Sequence, residues 1–117
     1  MKSTRQILAS LAVAAGALAL IGNVQAADAD AAKALAQQNN CLKCHGVDKD
    51  KDGPAFKKTA GKYKGKADAE DKLVTHLTTG PKIKFEDGSE EEHKIVKTTP
   101  PKDMAQIKNL IQWILSL

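Results

Sequence analysis

Five residues, Cys41-Leu42-Lys43-Cys44-His45, decide how the rest of this sequence is interpreted. They place two thiols two residues apart, with an imidazole directly after the second thiol. The segment before them, Ala31 to Gln38, is rich in alanine and favours a helix, which Asn39-Asn40 would end. The segment after them, Gly46 to Gly53, is polar and rich in Asp and Lys, as is typical of a loop. The thiols and the imidazole therefore lie between a predicted helix and a predicted loop.

This spacing is the C-x-x-C-H pattern that attaches a haem covalently. Two thiols at this distance can add to the two vinyl groups on one edge of a porphyrin, and the adjacent histidine is then held under the iron. We therefore expect one covalent haem c, linked by thioethers to Cys41 and Cys44, with His45 as the proximal axial ligand.

Three other uses of the cysteine pair are weaker. Cys41 and Cys44 can form a disulfide in an oxidising compartment. A thioredoxin-like redox site needs a βαβ context, which a mainly helical chain lacks. A zinc site needs four ligands, and Cys41, Cys44 and His45 would have to recruit a distant histidine.

The first 26 residues have the order of a secretory signal peptide. Lys2 and Arg5 precede an apolar run from Ile7 to Ile21, and the small residues of Val24-Gln25-Ala26 suit a signal peptidase. We expect cleavage after residue 26 and a periplasmic domain of residues 27–117, with no membrane insertion after cleavage. An uncleaved membrane anchor is the alternative, although the run is short for a span of about 20 residues.

The composition indicates a single small domain with an unusual core. Beyond residue 26, 16 Lys against 14 Asp and Glu leave a balance of +2, and no arginine remains, so nucleic-acid binding is disfavoured. A chain this short often needs a cofactor for stability. A flat apolar haem would fill a core that has few rings of its own: Phe56, Tyr63, Phe85 and Trp113. We expect a monomer.

The predicted secondary structure is mainly helical. Apolar periodicity and capping residues predict four helices: Ala31 to Gln38 after Asp28 or Asp30, a short one from Pro54 to Ala60 stopped by Gly61, one between Asp68 and Gly80-Pro81, and one from Asp103 to Leu117. The last is the clearest, because apolar residues recur at helical spacing: Ile107, Leu110, Ile111, Ile114 and Leu117.

The pattern changes between Pro81 and Thr99. Alternating residues around the Asp87-Gly88 turn signal predict a short β-hairpin, with Ile83 and Phe85 before the turn and Ile95-Val96 after it. The competing interpretation is a single helical turn capped by Ser89, with Glu92 completing a capping box.

At this point the chain resembles a small bacterial class I cytochrome c. The residues that carry the resemblance are Cys41 to Gly46, Gly53-Pro54-Ala55-Phe56, Ala60-Gly61-Lys62-Tyr63 and Ile111-Gln112-Trp113-Ile114-Leu115. The resemblance implies an all-α fold with three main helices around one haem, and a hairpin or irregular flap on the distal side. It also implies that the Pro54 carbonyl accepts the second N–H of His45, that Trp113 packs in the core, and that the protein carries electrons and is not an enzyme.

The sixth iron ligand departs from that family. Its methionine should stand near Lys97, where this chain has Lys97-Thr98-Thr99-Pro100-Pro101. His93, in the replacement segment, is the first candidate, although the neighbouring Glu90-Glu91-Glu92 would raise its pKa and favour the non-ligating form. Met104 is the alternative ligand, although its spacing from Ile107 is that of a core residue. His76 comes third, and an open site is the remaining possibility.

The choice of ligand determines the expected function. A closed six-coordinate site suits a carrier of single electrons between periplasmic redox proteins, whereas an open site suits a sensor or scavenger of NO, CO or O₂. The haem subunit of a larger redox enzyme is a third possibility. A lysine cluster would steer an acidic partner to the haem edge: Lys57, Lys58, Lys62, Lys64, Lys66 and Lys72.

Overall fold

The computed structural model describes Gly16 and residues 26–117. The predicted signal peptide, residues 1–26, therefore lies almost entirely outside the described residues. Within them the chain forms five helices and two short strands: α1 Ala29–Gln38, α2 Cys41–Cys44, α3 Phe56–Tyr63, α4 Ala69–Thr79, β1 Lys82–Lys84, β2 Glu90–Glu92 and α5 Met104–Leu115. No helix in this part of the chain is both long and apolar enough to cross a membrane.

The core forms where α1, α3 and α4 pack against α5. The apolar stripe predicted in the last helix supplies its centre, since Ile107, Leu110 and Ile111 are the largest fully buried side chains. Ala32 and Ala36 of α1 are also buried, and their small side chains let the two helices approach closely. This packing agrees with the predicted all-α fold.

The predicted caps fix the ends of these two helices. The Asp28 carboxylate accepts the Ala31 N–H at the start of α1, and the Asp103 carboxylate accepts the Ala105 and Gln106 N–H groups at the start of α5. Asn109 joins the two helices, because its side chain both accepts the Asp28 N–H at 2.8 Å and donates to the Asp28 carbonyl at 2.9 Å.

A sharp bend places the two cysteines at the edge of this core. The chain leaves α1 through Asn40, whose φ of 56° is left-handed, a conformation that asparagine tolerates better than most residues. The single turn α2 follows at once and spans both cysteines. The predicted helix end at Asn39-Asn40 is confirmed, and it brings the thiols back against α1.

Two predicted boundaries were wrong. α3 continues through Gly61 to Tyr63, because an exposed glycine with free space around it costs a helix only about 1 kcal/mol. The hairpin forms, but β1 pairs with Glu90–Glu92 and not with Ile95-Val96. Its register places Lys82 opposite Glu92 and Lys84 opposite Glu90, so opposite charges face each other across the strands. The capping-box turn at Ser89 is not formed.

For Met104 the sequence left two interpretations, an iron ligand or a core residue on the apolar face of the last helix. Met104 is the first residue of α5 and is 41% exposed. Helical spacing places Met104 on the side of Ile107, but Ile107 is buried and Met104 is not. The core position, which was the alternative to iron ligation for Met104, is therefore not formed.

Candidate haem-binding site

The loop after α2 holds His45 in one orientation. Its Nδ1 lies 2.7 Å from the Pro54 carbonyl oxygen, which can only accept, so Nδ1 carries the proton and Nε2 has the free lone pair. Gly53 lies against the imidazole: a Cβ at this position would be 2.6 Å from Cε1 of His45 and 2.9 Å from Nδ1. His45 is therefore oriented as a proximal ligand, with its ring fixed by the loop.

Hydrogen bonds brace this loop at several points. The Gly53 N–H donates to the Cys44 carbonyl at 2.8 Å, and the Phe56 N–H donates to the Gly46 carbonyl at 2.9 Å. Asp50 accepts from the Ala55 N–H at 2.7 Å and from Lys58 at 2.8 Å. These bonds, with that from the backbone N–H as the larger cause, lower the pKa of Asp50.

An aromatic chain links His45 to the core. The ring of Phe56 stacks on the imidazole with centres 5.3 Å apart, and Trp113 meets Phe56 edge-to-face at 5.8 Å. Trp113 is 5% exposed, which confirms its predicted packing role. The orientation of the imidazole thus depends on α5 as well as on the loop.

The two thiols remain free, so the disulfide alternative is not formed. Cys41 is half-buried, and burial raises the pKa of its thiol, whereas Cys44 is exposed. Within residues 26–117, no group of three or more His, Cys, Asp and Glu side chains is arranged to hold a metal ion, so nothing there supports the zinc alternative. Cys44 lines a cleft of about 750 Å³ between the Asp50–Pro54 loop and the hairpin tip at Phe85.

His93 faces His45 across the site. Their ring centres are 6.1 Å apart, and the ring planes are inclined by 49°. Two imidazoles that bind one metal from opposite sides, each about 2 Å away, have ring centres about 6 Å apart. Nδ1 of His93 lies 2.9 Å from the Lys94 carbonyl oxygen, so His93 also has a free Nε2.

The environment of His93 differs from the one that its sequence neighbours suggested. Burial lowers the pKa of His93, and the neighbouring glutamates do not reverse this, so the expectation of a raised pKa was wrong. The hairpin explains why: Glu90–Glu92 are exposed on β2, whereas His93 turns inward after the strand and is half-buried. The neutral form, which can bind a metal, is therefore favoured.

Of the two other candidate ligands, His76 lies beside His93 and Met104 lies at the start of α5. His76, on α4, is half-buried, and its ring centre is 4.3 Å from that of His93. Burial, followed by the charge of His93, lowers the pKa of His76. Met104 lies at the exposed start of α5. Ile95, predicted in the second arm of the hairpin, is 53% exposed and lies outside the hairpin.

The side chains present fit a covalently held haem. Both thiols are free and Cys44 lines a cleft of about 750 Å³. Two imidazoles face each other at the spacing of a shared metal. This donor set offers one imidazole nitrogen from each side of the site. In both histidines the hydrogen bond is made by Nδ1, which leaves Nε2 free.

The fold and this donor set define a small class I monohaem c-type cytochrome. The Cytochrome c family matches residues 29–117, and the chain belongs to that family. The solved structure of the class 1 cytochrome MtoD from Sideroxydans lithotrophicus ES-1 is 62% identical, covers 78% of this chain and 97% of its own, and has a TM-score of 0.72.

Other relatives are more distant. Cytochrome c-552 of Nitrosomonas europaea is 39% identical over 106 residues, which are 89% of this chain and 90% of the relative. Cytochrome c-551 of Allochromatium vinosum is 37% identical over 86 residues, or 71% of this chain and 82% of the relative. Proteins of this family are electron carriers that bind one covalently attached haem c, and that is the cofactor of this chain.

Three contacts in the site were not assigned from the sequence. They are the support of the loop by Asp50, the cradle that Gly53 forms for His45, and the contact between His76 and His93. The contact of Gly53 with His45 could have been found from the sequence, because Gly53-Pro54 follows closely after the C-x-x-C-H pattern. The first and third join residues whose proximity depends on the folded loop and on the packing of α4.

Charge at the mouth of the cleft is mostly negative. Its charged lining residues are five acids and two lysines: Asp50, Asp52, Glu86, Asp87, Glu91, Lys51 and Lys58. Of the predicted lysine cluster, Lys57, Lys58 and Lys72 form ion pairs with nearby aspartates, which reduces their free charge. The lining of the cleft is thus mainly acidic, and of the lysine cluster it includes Lys58 alone.

Proposed function

We propose that this protein carries single electrons between redox partners in the periplasm. In this proposal Cys41 and Cys44 hold the haem through thioether links, His45 binds the iron on the proximal side and His93 binds it on the distal side. When bound, the haem would supply an iron that accepts and releases one electron, and no substrate is chemically transformed. The observation that carries the proposal is the spacing of 6.1 Å between the His45 and His93 rings, because it supports occupation of both axial positions.

The protein's own residues keep that site fixed. The Pro54 carbonyl holds the proton of His45 on Nδ1, and the Lys94 carbonyl does the same for His93. Phe56 packs on the proximal ring and excludes water from one side of it. Because both ligands are held in place before and after transfer, little has to reorganise when the charge of the site changes. Such a site favours electron transfer over the binding of a gas.

The absorption spectrum of the purified holoprotein tests this proposal. We expect a low-spin ferric spectrum without the weak far-red band of thioether ligation, and a ferrous form that resists carbon monoxide. A far-red band would assign the distal position to Met104. A high-spin ferric spectrum with ready carbon monoxide binding would contradict this proposal and indicate a gas-binding protein.

The acidic mouth of the cleft leads to a prediction about partners. We expect a small cationic redox reagent to react faster than an anionic one of similar potential at low salt, and the difference to shrink as ionic strength rises. Docking of an acidic partner through the lysine cluster is the competing proposal, and it predicts the reverse order.

Two adjacent glutamates provide a matched pair for this measurement. Glu91 lines the cleft, whereas Glu90 points to the other face of β2. Glu91→Lys and Glu90→Lys change the net charge equally. We expect Glu91→Lys to slow the cationic reagent several-fold at low salt, and Glu90→Lys to have a smaller effect. Equal rates in the two variants would mean that electrons do not enter through this cleft.

A further inference from the structure

His76 has no part in the proposed electron carrier, yet it contacts the proposed distal ligand. Its ring centre lies 4.3 Å from that of His93, with the two planes inclined by 55°. His76 is half-buried on α4. An imidazole is a costly side chain to bury for packing alone, because each ring nitrogen needs a partner or water.

The backbone holds His93 against the end of α4. The His93 N–H donates to the Pro81 carbonyl at 2.9 Å, and the Val96 N–H donates to the Leu77 carbonyl at 2.9 Å. Gly80 allows this approach, because a Cβ there would lie 2.7 Å from the His93 carbonyl oxygen and the φ of 60° favours glycine. The contact of the two rings is thus built into the junction of α4 and the following segment.

Hydrogen bonding holds the His93 side chain within its own segment of the chain. Its ring makes a hydrogen bond to the carbonyl of the adjacent residue, Lys94, which fixes the proton on Nδ1. Donor and acceptor of this bond belong to neighbouring residues, so it does not tie the ring to another element of the fold. A second contact is needed to define the ring plane, and His76 supplies one.

We propose that His76 is a positioning residue that sets the plane of the His93 imidazole relative to that of His45. The two planes are inclined by 49° in this structure. The angle between axial ligand planes controls the splitting of the iron d orbitals in a low-spin ferric haem, so His76 acts on the electronic state of the iron through His93. This inference rests on the proposed function, since it requires His93 to be the distal ligand.

Electron paramagnetic resonance of the frozen ferric holoprotein tests it. His76→Ala removes the contact, and we expect the largest g value to shift and its signal to broaden, because the ligand ring becomes free to adopt several planes. His76→Phe retains a flat ring, and we expect a narrow signal close to that of the unmodified protein. Thr75→Ala, an exposed change on the neighbouring position of α4, controls for effects on the helix and should leave the signal unchanged.

The outcomes separate this inference from the function on which it rests. An unmodified protein with bis-imidazole signals and an unchanged His76→Ala spectrum would overturn the positioning role and leave the electron carrier intact. A methionine-ligated unmodified protein would overturn the positioning role and the assignment of His93 as distal ligand, and would leave the electron carrier intact. If His93→Ala stays low-spin and only the double variant His93→Ala/His76→Ala becomes high-spin, then His76 is itself able to bind the iron, and its assignment as a positioning residue is wrong.

Discussion

Replacing His93 by alanine is expected to convert the ferric holoprotein from low-spin to high-spin and to let its ferrous form bind carbon monoxide. The physical reason is the loss of the distal nitrogen, which faces His45 across the site with ring centres 6.1 Å apart. Absorption spectra of both oxidation states, with and without carbon monoxide, measure the change. The covalent links at Cys41 and Cys44 should keep the haem in place, so the spectra report ligation and not cofactor loss.

Met104→Leu is the matched control for this prediction. Leucine has nearly the volume of methionine and cannot bind the iron, and Met104 lies at the exposed start of α5. We expect its spectrum to equal that of the unmodified protein. If Met104→Leu is high-spin and His93→Ala is unchanged, then Met104 is the distal ligand and His93 is not.

Gly53→Ala is expected to weaken the proximal side of the site. The new methyl group would lie 2.6 Å from Cε1 of His45, a distance at which the ring or the loop must move. The loop is held by the bond from the Gly53 N–H to Cys44, so the ring is the part that yields, and its bond to Pro54 is lost. We expect the holoprotein to lose about 1–3 kcal/mol of unfolding free energy, as overpacking costs elsewhere, and to show a changed reduction potential.

Gly61→Ala gives the comparison within the same chain. Gly61 lies inside α3, is exposed and has no atom near enough to meet a new Cβ. Alanine favours helix over glycine by about 1 kcal/mol, so this variant should be slightly more stable and keep its potential. Denaturant unfolding and potentiometry measure both variants. Equal stability and potential in the two would show that Gly53 does not hold the ring of His45.

The sequence could predict features that depend on neighbouring residues. The C-x-x-C-H stretch, the caps Asp28 and Asp103 and the apolar stripe of the last helix involve residues within one or two turns of each other. Such local signals do not depend on how the helices pack against one another. The all-α fold, the haem and the packing of Trp113 followed from them and from the family resemblance, and the structure and the comparisons confirm them.

Other predictions were wrong where local pattern and tertiary packing disagree. Spacing from Ile107 suggested a core position for Met104, but its side chain at the first position of α5 is 41% exposed. The hairpin turn was identified, but the second strand is Glu90–Glu92, because the length of the turn fixes which residues pair. A run of three glutamates suggested a raised pKa for His93, although burial has the opposite effect.

By itself, then, the sequence determined that the two thiols and His45 stand at the spacing that attaches a haem, because five consecutive residues cannot lie far apart. Only the tertiary structure brought His93 opposite His45, 48 positions further along the chain. That pairing requires α4 to end at Gly80, the hairpin to turn back and the backbone of His93 to bond to Pro81. Contacts of this kind depend on the sum of many weak interactions over the whole chain, and no local motif carries them.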